Sequence, residues 1–312
     1  MKKVLITGGA GFIASHLIES LQERDCEIHS FDLVESTFKP YGVKWHEGDF
    51  REISSIENSI KEIKPDVVVH LGALPSVQTS ILEPASSLDT NMRGTWNVME
   101  ASRKNGVKRV IFASSAAVYG FTGEEMAGKA LSEDLPLKPK NPYGLAKKTG
   151  EEFMNMWSRK DLLEGEMDAV SLRFFNVYGE RQRRDSAYAT AIERFLYQWQ
   201  SNEPLTIVPP GTQKRDVVYV KDLAKAIRSA VLSEKDFEGV AINIGSGKNY
   251  SIREIAEVVG GEGYPTVDID PRPGDVKEVL ADVNRAKELL DWKAETSFEE
   301  GIKLVKEYFR NN

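Results

Sequence analysis

Short apolar runs alternate with amphipathic segments along residues 1–175. Strand-like runs such as "KVLITG", "DVVVHLGA" and "VKRVIFASS" are rich in β-branched residues, and the segments between them place apolar side chains at helical spacing. Strands that are apolar on both faces and alternate with helices indicate a parallel sheet covered by helices on each side. The pattern therefore predicts an α/β fold with a Rossmann-type, doubly wound parallel sheet.

The rhythm becomes irregular after Gly179. The turn at Pro209-Pro210-Gly211 interrupts a strand-like stretch, and "SIREIAEVVG" carries Ser251 and Glu254 at the spacing of a capping box. We therefore expect one domain over residues 1–176 and a smaller, mixed α/β domain over residues 177–312. A strand and a helix around residues 215–245 are expected to return to the first domain.

Composition narrows the class of protein. The 312 residues carry a formal charge of −7 and include a single cysteine, Cys26, and four scattered histidines. This excludes an intramolecular disulfide framework, gives no zinc-ligand spacing and argues against nucleic acid as a partner. The N-terminus lacks the pattern of a signal peptide, and no stretch approaches the roughly 20 apolar residues that span a membrane. We therefore expect a cytoplasmic protein with no metal site and no membrane partner.

The segment "TGGAGFIAS" joins the first predicted strand to the first predicted helix. Gly8, Gly11 and Ala14 satisfy the spacing of a dinucleotide-binding fingerprint, in which glycines let the backbone approach a pyrophosphate at a helix N-terminus. Asp32 ends the next strand, where a carboxylate accepts hydrogen bonds from a ribose diol and repels a 2′-phosphate. The pattern predicts NAD as cofactor, with Asp49 as either an adenine contact or an ordinary exposed acid.

A second motif, "NPYGLAKK", places Tyr143 and Lys147 on one helix face. An ammonium group near a tyrosine stabilises the phenolate and lowers the pKa of the hydroxyl, which makes a usable base. The spacing alone is weak, because any helix can carry it by chance. It gains weight about 130 residues after a dinucleotide fingerprint, with the Ser-rich strand end "SSAAVYG" between the two.

Together these motifs resemble the extended short-chain dehydrogenase/reductase family, and within it the nucleotide-sugar epimerase/dehydratase branch. The resemblance extends from residue 4 to about residue 290 and is carried by "TGGAGFIASH", "HLGALPSVQTS", "NMRGTWNVMEA", "SSAAVYG", "YGLAK", "LRFFNVYG", "RDVVYVKDLAKA", "NIGSG" and "RPGDV". Ala14 stands where the family has a third glycine, and alanine is small enough for the same helix–strand contact.

The resemblance implies a catalytic trio of Ser115, Tyr143 and Lys147. Ser115 would bind the substrate hydroxyl, Tyr143 would remove its proton, and Lys147 would bind the nicotinamide ribose while lowering the pKa of Tyr143. It also implies a set of NAD-binding residues: Gly8, Gly11, Phe12, Ile13, Asp32, Leu33, Asp49, Phe50, Leu71, Gly72, Ala73, Asn91, Tyr143, Lys147 and Phe174.

Ala116 and Ala117 indicate the reaction within that family. Its dehydratases carry an Asp-Glu pair directly after the catalytic hydroxyl residue, and its decarboxylases keep a glutamate at the second position. Alanine cannot transfer protons, and Cys26 lies far along the chain from the trio. The remaining chemistry needs no further acid or base: a 4-keto sugar turns over and takes the hydride back on its other face, which is 4-epimerisation.

The resemblance further implies a UDP-sugar substrate in the residue 177–312 domain and a homodimer. The substrate-binding positions are Ser76, Val77, Ser115, Ala116, Tyr143, Asn176, Tyr188, Ala189, Arg215, Arg272 and Asp275. Val279 stands where some relatives carry a bulky tyrosine, which leaves room for an N-acetyl group but excludes nothing smaller. We expect 4-epimerisation of UDP-Glc/UDP-Gal, extending to UDP-GlcNAc/UDP-GalNAc.

Three alternatives remain open from the sequence. The first is a UDP-glucuronate 4-epimerase, and the second is a nucleotide-sugar dehydrogenase or reductase that turns over NAD. The third, more remote, is a non-catalytic NAD-binding scaffold, against which the intact Ser115, Tyr143 and Lys147 argue.

Overall fold

The computed structural model describes residues 1–120, 128–159, 167–182, 190–270 and 277–311. Within these residues the strands are β1 Lys2–Thr7, β2 Cys26–Asp32, β3 Lys44–Glu47, β4 Val67–His70, β5 Arg109–Ser115, β6 Asp168–Phe174, β7 Asn176–Tyr178, β8 Leu205–Ile207, β9 Lys214–Tyr219, β10 Ala241–Ile244, β11 Asn249–Ser251, β12 Thr266–Asp268 and β13 Glu278–Val279.

The α-helices of the same residues are α1 Phe12–Gln22, α2 Ile53–Ile63, α3 Val77–Leu82, α4 Pro84–Leu88, α5 Gly94–Lys104, α6 Pro142–Trp157, α7 Ala191–Gln200, α8 Val220–Leu232, α9 Ile252–Gly260, α10 Asn284–Leu290 and α11 Phe298–Asn311. A π-helical segment, Asp89–Arg93, leads directly into α5, and a 3-10 turn covers Ala116–Val118.

The chain divides into two compact units, each discontinuous in sequence. The first comprises Met1–Gly120, Leu137–Arg173 and Ala224–Ile242, and the second comprises Phe121–Pro136, Phe174–Leu223 and Asn243–Asn312. The second unit includes an early segment because Leu131 N–H bonds to the Leu280 carbonyl at 2.8 Å and its own carbonyl accepts from Asn243 Nδ2 at 2.7 Å. The assignment of NAD binding to residues 1–176 and of UDP-sugar binding to residues 177–312 stays a prediction.

A seven-stranded parallel sheet organises the first unit, in the order β10-β6-β5-β4-β1-β2-β3. The chain builds outward from β1 to β3 on one side and from β4 to β10 on the other, so the direction of winding reverses between β1 and β4. Open α/β sheets bind ligands outside the carboxyl ends of the strands at such a reversal. The predicted fold class is confirmed, and it points to the carboxyl ends of β1 and β4.

The core of this unit lies on both faces of the sheet. All four residues of β4 are buried. One apolar cluster joins Leu5 of β1 and Phe112 of β5 to Ile60 of α2 and Met154 of α6. Burying a side chain of this size contributes roughly 1.5–3 kcal/mol, so the helices are held firmly against the strands that carry the predicted site.

In the second unit, β9 is the central strand. Its first half pairs with β11 in antiparallel and with β13 in parallel orientation, and its second half pairs with β7 in parallel orientation. A separate parallel pair joins β8 and β12. The predicted capping box is confirmed at the start of α9, because Glu254 N–H bonds to Ser251 Oγ at 3.1 Å and Ser251 N–H bonds to Glu254 Oε2 at 2.6 Å.

Candidate active site

The loop between β1 and α1 is shaped by glycines. Gly8 has a φ of +71°, and a Cβ there would lie 2.5 Å from the backbone nitrogen of Gly72. Gly11 closes the loop, because its N–H bonds to the Gly8 carbonyl at 3.0 Å. The two chain segments after β1 and β4 can therefore meet only because Gly8 lacks a side chain. This brings the predicted residues Gly8, Gly11 and Gly72 together.

The N-terminus of α1 opens at this loop. Its first intrahelical bond runs from Ser15 N–H to the Gly11 carbonyl at 3.1 Å, so the amides of residues 12–14 have no intrahelical partner. The first turn of the helix contains no acidic residue. Phe12 and Ile13 thus stand where backbone N–H groups and the helix dipole favour an anion. A dinucleotide pyrophosphate fits this cradle.

Asp32, at the end of β2, faces the same loop. Its Oδ2 accepts the Ala10 N–H at 3.0 Å, and its Oδ1 accepts the Leu33 N–H at 2.7 Å. Both bonds fix the carboxylate while leaving lone pairs on each oxygen for a ribose diol. Leu33 is half exposed beside it and offers an apolar surface.

Asp49 lies in an ion pair that the sequence motifs did not indicate. Arg51 binds its carboxylate through Nε at 3.0 and 2.9 Å and through Nη2 at 2.6 Å. The Arg51 hydrogen bonds hold the pKa of Asp49 below its usual value. A carboxylate and an arginine two residues apart are too common in sequences to signal this pair.

The side chain of Phe50 is buried. Its ring carbons would lie 2.5 Å from a Cβ at Gly72 and 2.5 Å from a Cβ at Gly94, so the ring fills the space between two glycines. Phe50 is 8 % exposed. In the structure it supports the loop after β4, and the side chain contributes packing there.

The segment after β4 contains Leu71, Gly72 and Ala73. Leu71 N–H bonds to the Thr7 carbonyl at 3.0 Å, which continues the pairing of β1 and β4 beyond the strands. The buried amide of Asn91 accepts from Leu74 N–H at 2.9 Å and donates to the Leu74 carbonyl at 3.0 Å. The side chain of Asn91 thus holds this loop in place.

Ser115, Tyr143 and Lys147 come together at the end of β5 and the first turns of α6. Ser115 is the last residue of β5, and its hydroxyl is hydrogen-bonded to that of Tyr143. Lys147 Nζ donates to the Ala113 carbonyl at 2.7 Å. Asn141 caps α6 by accepting the Gly144 N–H at 2.8 Å, which sets the start of the helix that carries Tyr143 and Lys147.

Burial dominates the electrostatics of this trio. It raises the pKa of Tyr143 to about 12, against the lowering effect of the Ser115 hydrogen bond. It lowers the pKa of Lys147 to about 7, against the raising effect of Glu151. The sequence predicts that Lys147 lowers the pKa of Tyr143, and this is not what the structure shows. The reason is burial, which has the largest influence on the pKa of Tyr143.

The 3-10 turn after Ser115 contains Ala116 and Ala117. A Cβ at Gly144 would lie 2.6 Å from the Ala117 carbonyl oxygen, so the turn packs directly on the first turn of α6. Neither alanine carries a titratable group. The strand end therefore places apolar side chains directly after Ser115, whose hydroxyl accepts the Ala117 N–H at 3.2 Å and is hydrogen-bonded to Tyr143.

The predicted substrate positions are described in part. In the first unit Ser76 caps α3, with its Oγ accepting the Thr79 N–H at 3.0 Å, and Val77 begins that helix. In the second unit Asn176 Nδ2 donates to the Asp216 carbonyl at 2.7 Å, and Arg215 lies on β9. Phe174, which is predicted to bind the cofactor, is half-buried at the end of β6. The positions that lie outside the described residues are Tyr188, Ala189, Arg272 and Asp275.

A buried network behind the trio was missed by the sequence motifs. Ser114 Oγ donates to Glu151 Oε1 at 2.5 Å, and Arg173 binds the Glu151 carboxylate from Nε at 2.9 Å and Nη2 at 2.7 Å. Arg173 Nη1 donates to Tyr119 Oη at 2.9 Å. The available signal was the position of Glu151, one helical turn after Lys147.

In the part of the chain that the structure describes, no helix combines the length and the apolar character that crossing a bilayer requires. In the same part of the chain, His, Cys, Asp and Glu nowhere gather in threes as a metal ion would need.

The geometry above fits a dinucleotide-dependent enzyme, and sequence comparison decides the family. The sequence model of the NAD dependent epimerase/dehydratase family matches residues 4–245. The chain belongs to this family. The predicted family and fold are thereby confirmed, and NAD is the cofactor after which the family is named.

Similar proteins cover the whole chain. A putative UDP-glucose 4-epimerase of Methanocaldococcus jannaschii is 35% identical over 99% of both chains, and a UDP-glucuronate 4-epimerase of Thermodesulfobacterium geofontis is 30% identical over 99% of this chain and 96% of its own. Among solved structures, a Thermotoga maritima UDP-glucose 4-epimerase with UDP-glucose has a TM-score of 0.90 at 32% identity, covering 99% of both chains. The Thermus thermophilus UDP-glucose 4-epimerase complex with NAD has a TM-score of 0.89 at 31% identity, with the same coverage.

Proposed function

We propose that this protein is an NAD-dependent UDP-hexose 4-epimerase acting through a 4-keto intermediate. The observation that carries the proposal is the combination of a complete Ser115, Tyr143 and Lys147 trio with Ala116 and Ala117 directly after Ser115. Elimination of water requires acid and base groups beside the trio, and two alanines supply none. Removal and return of one hydride requires only the trio and NAD as the hydride acceptor.

In the proposed reaction, Ser115 and Tyr143 bind the sugar 4-hydroxyl. NAD, when bound, accepts the hydride from C4 and returns it. Tyr143 takes up the hydroxyl proton as the carbonyl forms and gives it back as the carbonyl is reduced. Lys147 would bind the nicotinamide ribose, and its ammonium charge would favour the Tyr143 phenolate in the complex with NAD, although burial outweighs this influence in the structure. Because the 4-keto sugar turns over between the two steps, the product differs from the substrate only at C4.

The same proposal assigns the remaining positions. We propose that NAD contacts Gly8, Gly11, Phe12, Ile13, Asp32, Leu33, Asp49, Phe50, Leu71, Gly72, Ala73, Asn91, Tyr143, Lys147 and Phe174. For the nucleotide-sugar we propose Ser76, Val77, Ser115, Ala116, Tyr143, Asn176 and Arg215, together with Tyr188, Ala189, Arg272 and Asp275. Asn91 and Asp49 also support the loops that we propose bind NAD, because Asn91 bonds to the backbone of Leu74 and Asp49 pairs with Arg51.

The choice of sugar rests on coarser support. Relatives of similar identity are named UDP-glucose 4-epimerase and UDP-glucuronate 4-epimerase, so the names favour a UDP-sugar without separating the two. Val279 is half-buried on β13, beside Arg215 on β9. A valine at this position leaves space for an N-acetyl group. We propose UDP-Glc/UDP-Gal as substrates, extending to UDP-GlcNAc/UDP-GalNAc, with UDP-GlcA/UDP-GalA as the second candidate.

The test is NMR of the products after incubation of the purified protein with each of the three UDP-sugar pairs, without added NAD. We expect interconversion within at least one pair and no accumulation of NADH. The matched control is Tyr143→Phe, which keeps the ring and removes the hydroxyl. Sustained NADH production would identify a dehydrogenase, a 4-keto-6-deoxy product would overturn the argument from the alanines, and activity no higher than that of the control would indicate a non-catalytic protein.

A further inference from the structure

Three consecutive residues at the end of β5 each bond to α6. The partners on the helix are spaced four residues apart and share one face. The pairs are Ala113 with Lys147, Ser114 with Glu151, and Ser115 with Tyr143. Two of these pairs belong to the proposed trio. The third, which contains Glu151, takes no part in the proposed chemistry.

Glu151 is fixed from two sides. Ser114 donates to its Oε1 from β5 at 2.5 Å, and Arg173 on β6 donates to both of its oxygens at 2.9 and 2.7 Å. Arg173 is held in turn by Tyr119, through a hydrogen bond of 2.9 Å and a ring whose centre lies 4.9 Å from the guanidinium carbon. The four side chains are 1–7 % exposed. Such a network costs desolvation and holds one geometry.

Glu151 also acts on the charge of Lys147. Lys147 is 2 % exposed, and burial lowers its pKa to about 7. Glu151 opposes this effect because its negative charge favours the ammonium form. The Lys147 ammonium otherwise contacts the Ala113 carbonyl and the Phe112 ring, which lies 4.7 Å away and carries no charge.

The other titratable groups near Lys147 do not replace that effect. On β4, burial and Lys147 itself lower the pKa of His70 to about 3, which leaves the imidazole neutral. On α6, burial raises the pKa of Tyr143 to about 12, which leaves it protonated. Arg173 on β6 is positively charged and forms an ion pair with Glu151. The π-helical segment packed against α6 contributes Asp89 and Arg93, which pair with each other at 2.7 Å at the surface.

We propose that Glu151 is a positioning residue of the reaction centre: its carboxylate, held by Ser114 and Arg173, fixes α6 against the end of β5 and keeps Lys147 in the ammonium form. The effect of Glu151 on catalysis rests on the proposed function. The effect of Glu151 on the protonation of Lys147 does not depend on that function, so the two effects can be tested separately.

The first test measures Lys147 directly. Protein labelled with ¹³C at the lysine ε-carbon is titrated by NMR, and the Lys147 signal is assigned by its absence from Lys147→Arg. We expect Glu151→Gln to lower the titration midpoint of Lys147 by about one pH unit. The matched control is Glu57→Gln, which removes a carboxylate that pairs with a lysine on α2 at the surface. An unchanged midpoint in a folded Glu151→Gln protein overturns the proposal.

The second test uses the pH dependence of activity. One unit in a pKa is a factor of ten in the ratio of the two forms. Relative to wild type, Glu151→Gln is expected to lose about tenfold in kcat at pH 8 and to recover to within about threefold at pH 6. Glu151→Asp keeps the charge, so its ratio to wild type should not vary with pH. An equal loss at both pH values in Glu151→Gln indicates a purely structural role and overturns the proposal.

A folding failure of Glu151→Gln has its own remedy. That variant leaves the Arg173 guanidinium buried without its carboxylate, which is the costly way to break an ion pair. The double variant Glu151→Gln/Arg173→Met removes both charges, and we expect the Lys147 midpoint to move in the same downward direction by a smaller amount, because the positive charge of Arg173 is lost together with the carboxylate. A folded double variant with the wild-type midpoint overturns the proposal. A wild-type protein that epimerises no UDP-sugar overturns the proposed function, while the NMR midpoints still decide the role of Glu151.

Discussion

Ser114 and Ser115 are neighbours with the same hydroxyl, and the structure gives them different partners. Ser115 bonds to Tyr143 in the proposed reaction centre, and Ser114 bonds to Glu151 in the buried network behind it. The difference follows from where the partners lie on α6, because Tyr143 is in the first turn of that helix and Glu151 is two turns further along it. The two residues therefore separate catalysis from support at a single strand end.

This separation predicts the outcome of two alanine substitutions. Ser115→Ala should lower kcat about 10- to 100-fold, the equivalent of a hydrogen bond to a group that becomes charged, with little change in stability. Ser114→Ala should lower the free energy of unfolding by about 1–3 kcal/mol, because Glu151 then loses a buried donor. The measurements are kcat by product NMR and urea unfolding of both variants. Equal effects of the two substitutions on kcat would contradict the assignment.

At this scale, sequence reasoning found the residues that belong to local motifs. Tyr143 and Lys147 are one helical turn apart, so their proximity follows from secondary structure alone. The pairing of Glu151 with Arg173 depends on the packing of α6 against β6, and no local spacing reports it. The raised pKa of Tyr143 could not be predicted from the sequence, because burial causes it and burial is a property of the folded chain.

Among the elements, the turn from β1 into α1 was the most predictable. Glycine is required at Gly8 by a local fact, its positive φ, and the contact of Gly8 with Gly72 on the neighbouring segment adds a second requirement that the local sequence does not show. Two features were not predicted. One is the π-helical segment Asp89–Arg93 that leads into α5, and the other is the ion pair of Arg51 with Asp49, the predicted adenine contact. The π-helical segment depends on how neighbouring segments pack, and the Asp49–Arg51 spacing is too common to be a signal, whereas the motif of the glycine loop follows from one strand, one turn and one helix.

The glycine loop makes a prediction that separates backbone strain from crowding. Gly8→Ala places a Cβ at 2.5 Å from the Gly72 nitrogen with a φ of +71°, whereas Gly106→Ala meets nothing within 4 Å at a φ of +70°. Both should lose about 1 kcal/mol or more of stability from the strained φ. Only Gly8→Ala should also lose NAD, by at least about tenfold in the amount released on denaturation. NAD contents that are equal in the two variants would show that the loop does not cradle the cofactor.

At the scale of the whole molecule, the histidines of the first unit connect stability to pH. Burial lowers the pKa of His70 to about 3 and also lowers the pKa values of His29 and His46. The folded state therefore binds fewer protons than the unfolded state below the unfolded pKa of about 6.5. Stability must fall as the pH drops through that value, and the fall continues down to the folded pKa.

The expected size of this effect is set by His70. Because His70 is buried in the neutral form, the unfolding free energy should fall by about 2 kcal/mol from pH 7 to pH 5. His29 and His46 should add to this fall. Urea unfolding at pH 7, 6 and 5 measures the slope. His70→Gln removes the titrating group. The proton uptake on unfolding, which sets the slope of unfolding free energy against pH, should therefore be smaller than that of wild type by up to one proton. The unfolding free energy of the variant at pH 7 should be lower than that of wild type. A slope that the substitution leaves unchanged would contradict the neutral state of His70.

The first unit also presents an apolar surface on α5 and α6, and we propose that it joins two copies of the chain. Trp96 is 38 % exposed, Leu145 48 % and Met156 38 %, while the Trp96 ring packs edge-on against Phe153, with ring centres 5.1 Å apart, within the unit. Large side chains half-exposed on adjacent helices favour association, because covering them removes apolar area from water.

This surface predicts the mass of the particle in solution. Sedimentation should give wild type at twice the mass of one chain, and Leu145→Glu should shift it toward a single chain at the same concentration, since burying an unpaired carboxylate in an interface is costly. Tyr41→Glu is the matched control, because it puts the same charge at an apolar side chain that is 98 % exposed on the loop between β2 and β3. A wild-type protein that sediments as one chain, or a Leu145→Glu variant that stays associated, would place the contact elsewhere or remove it.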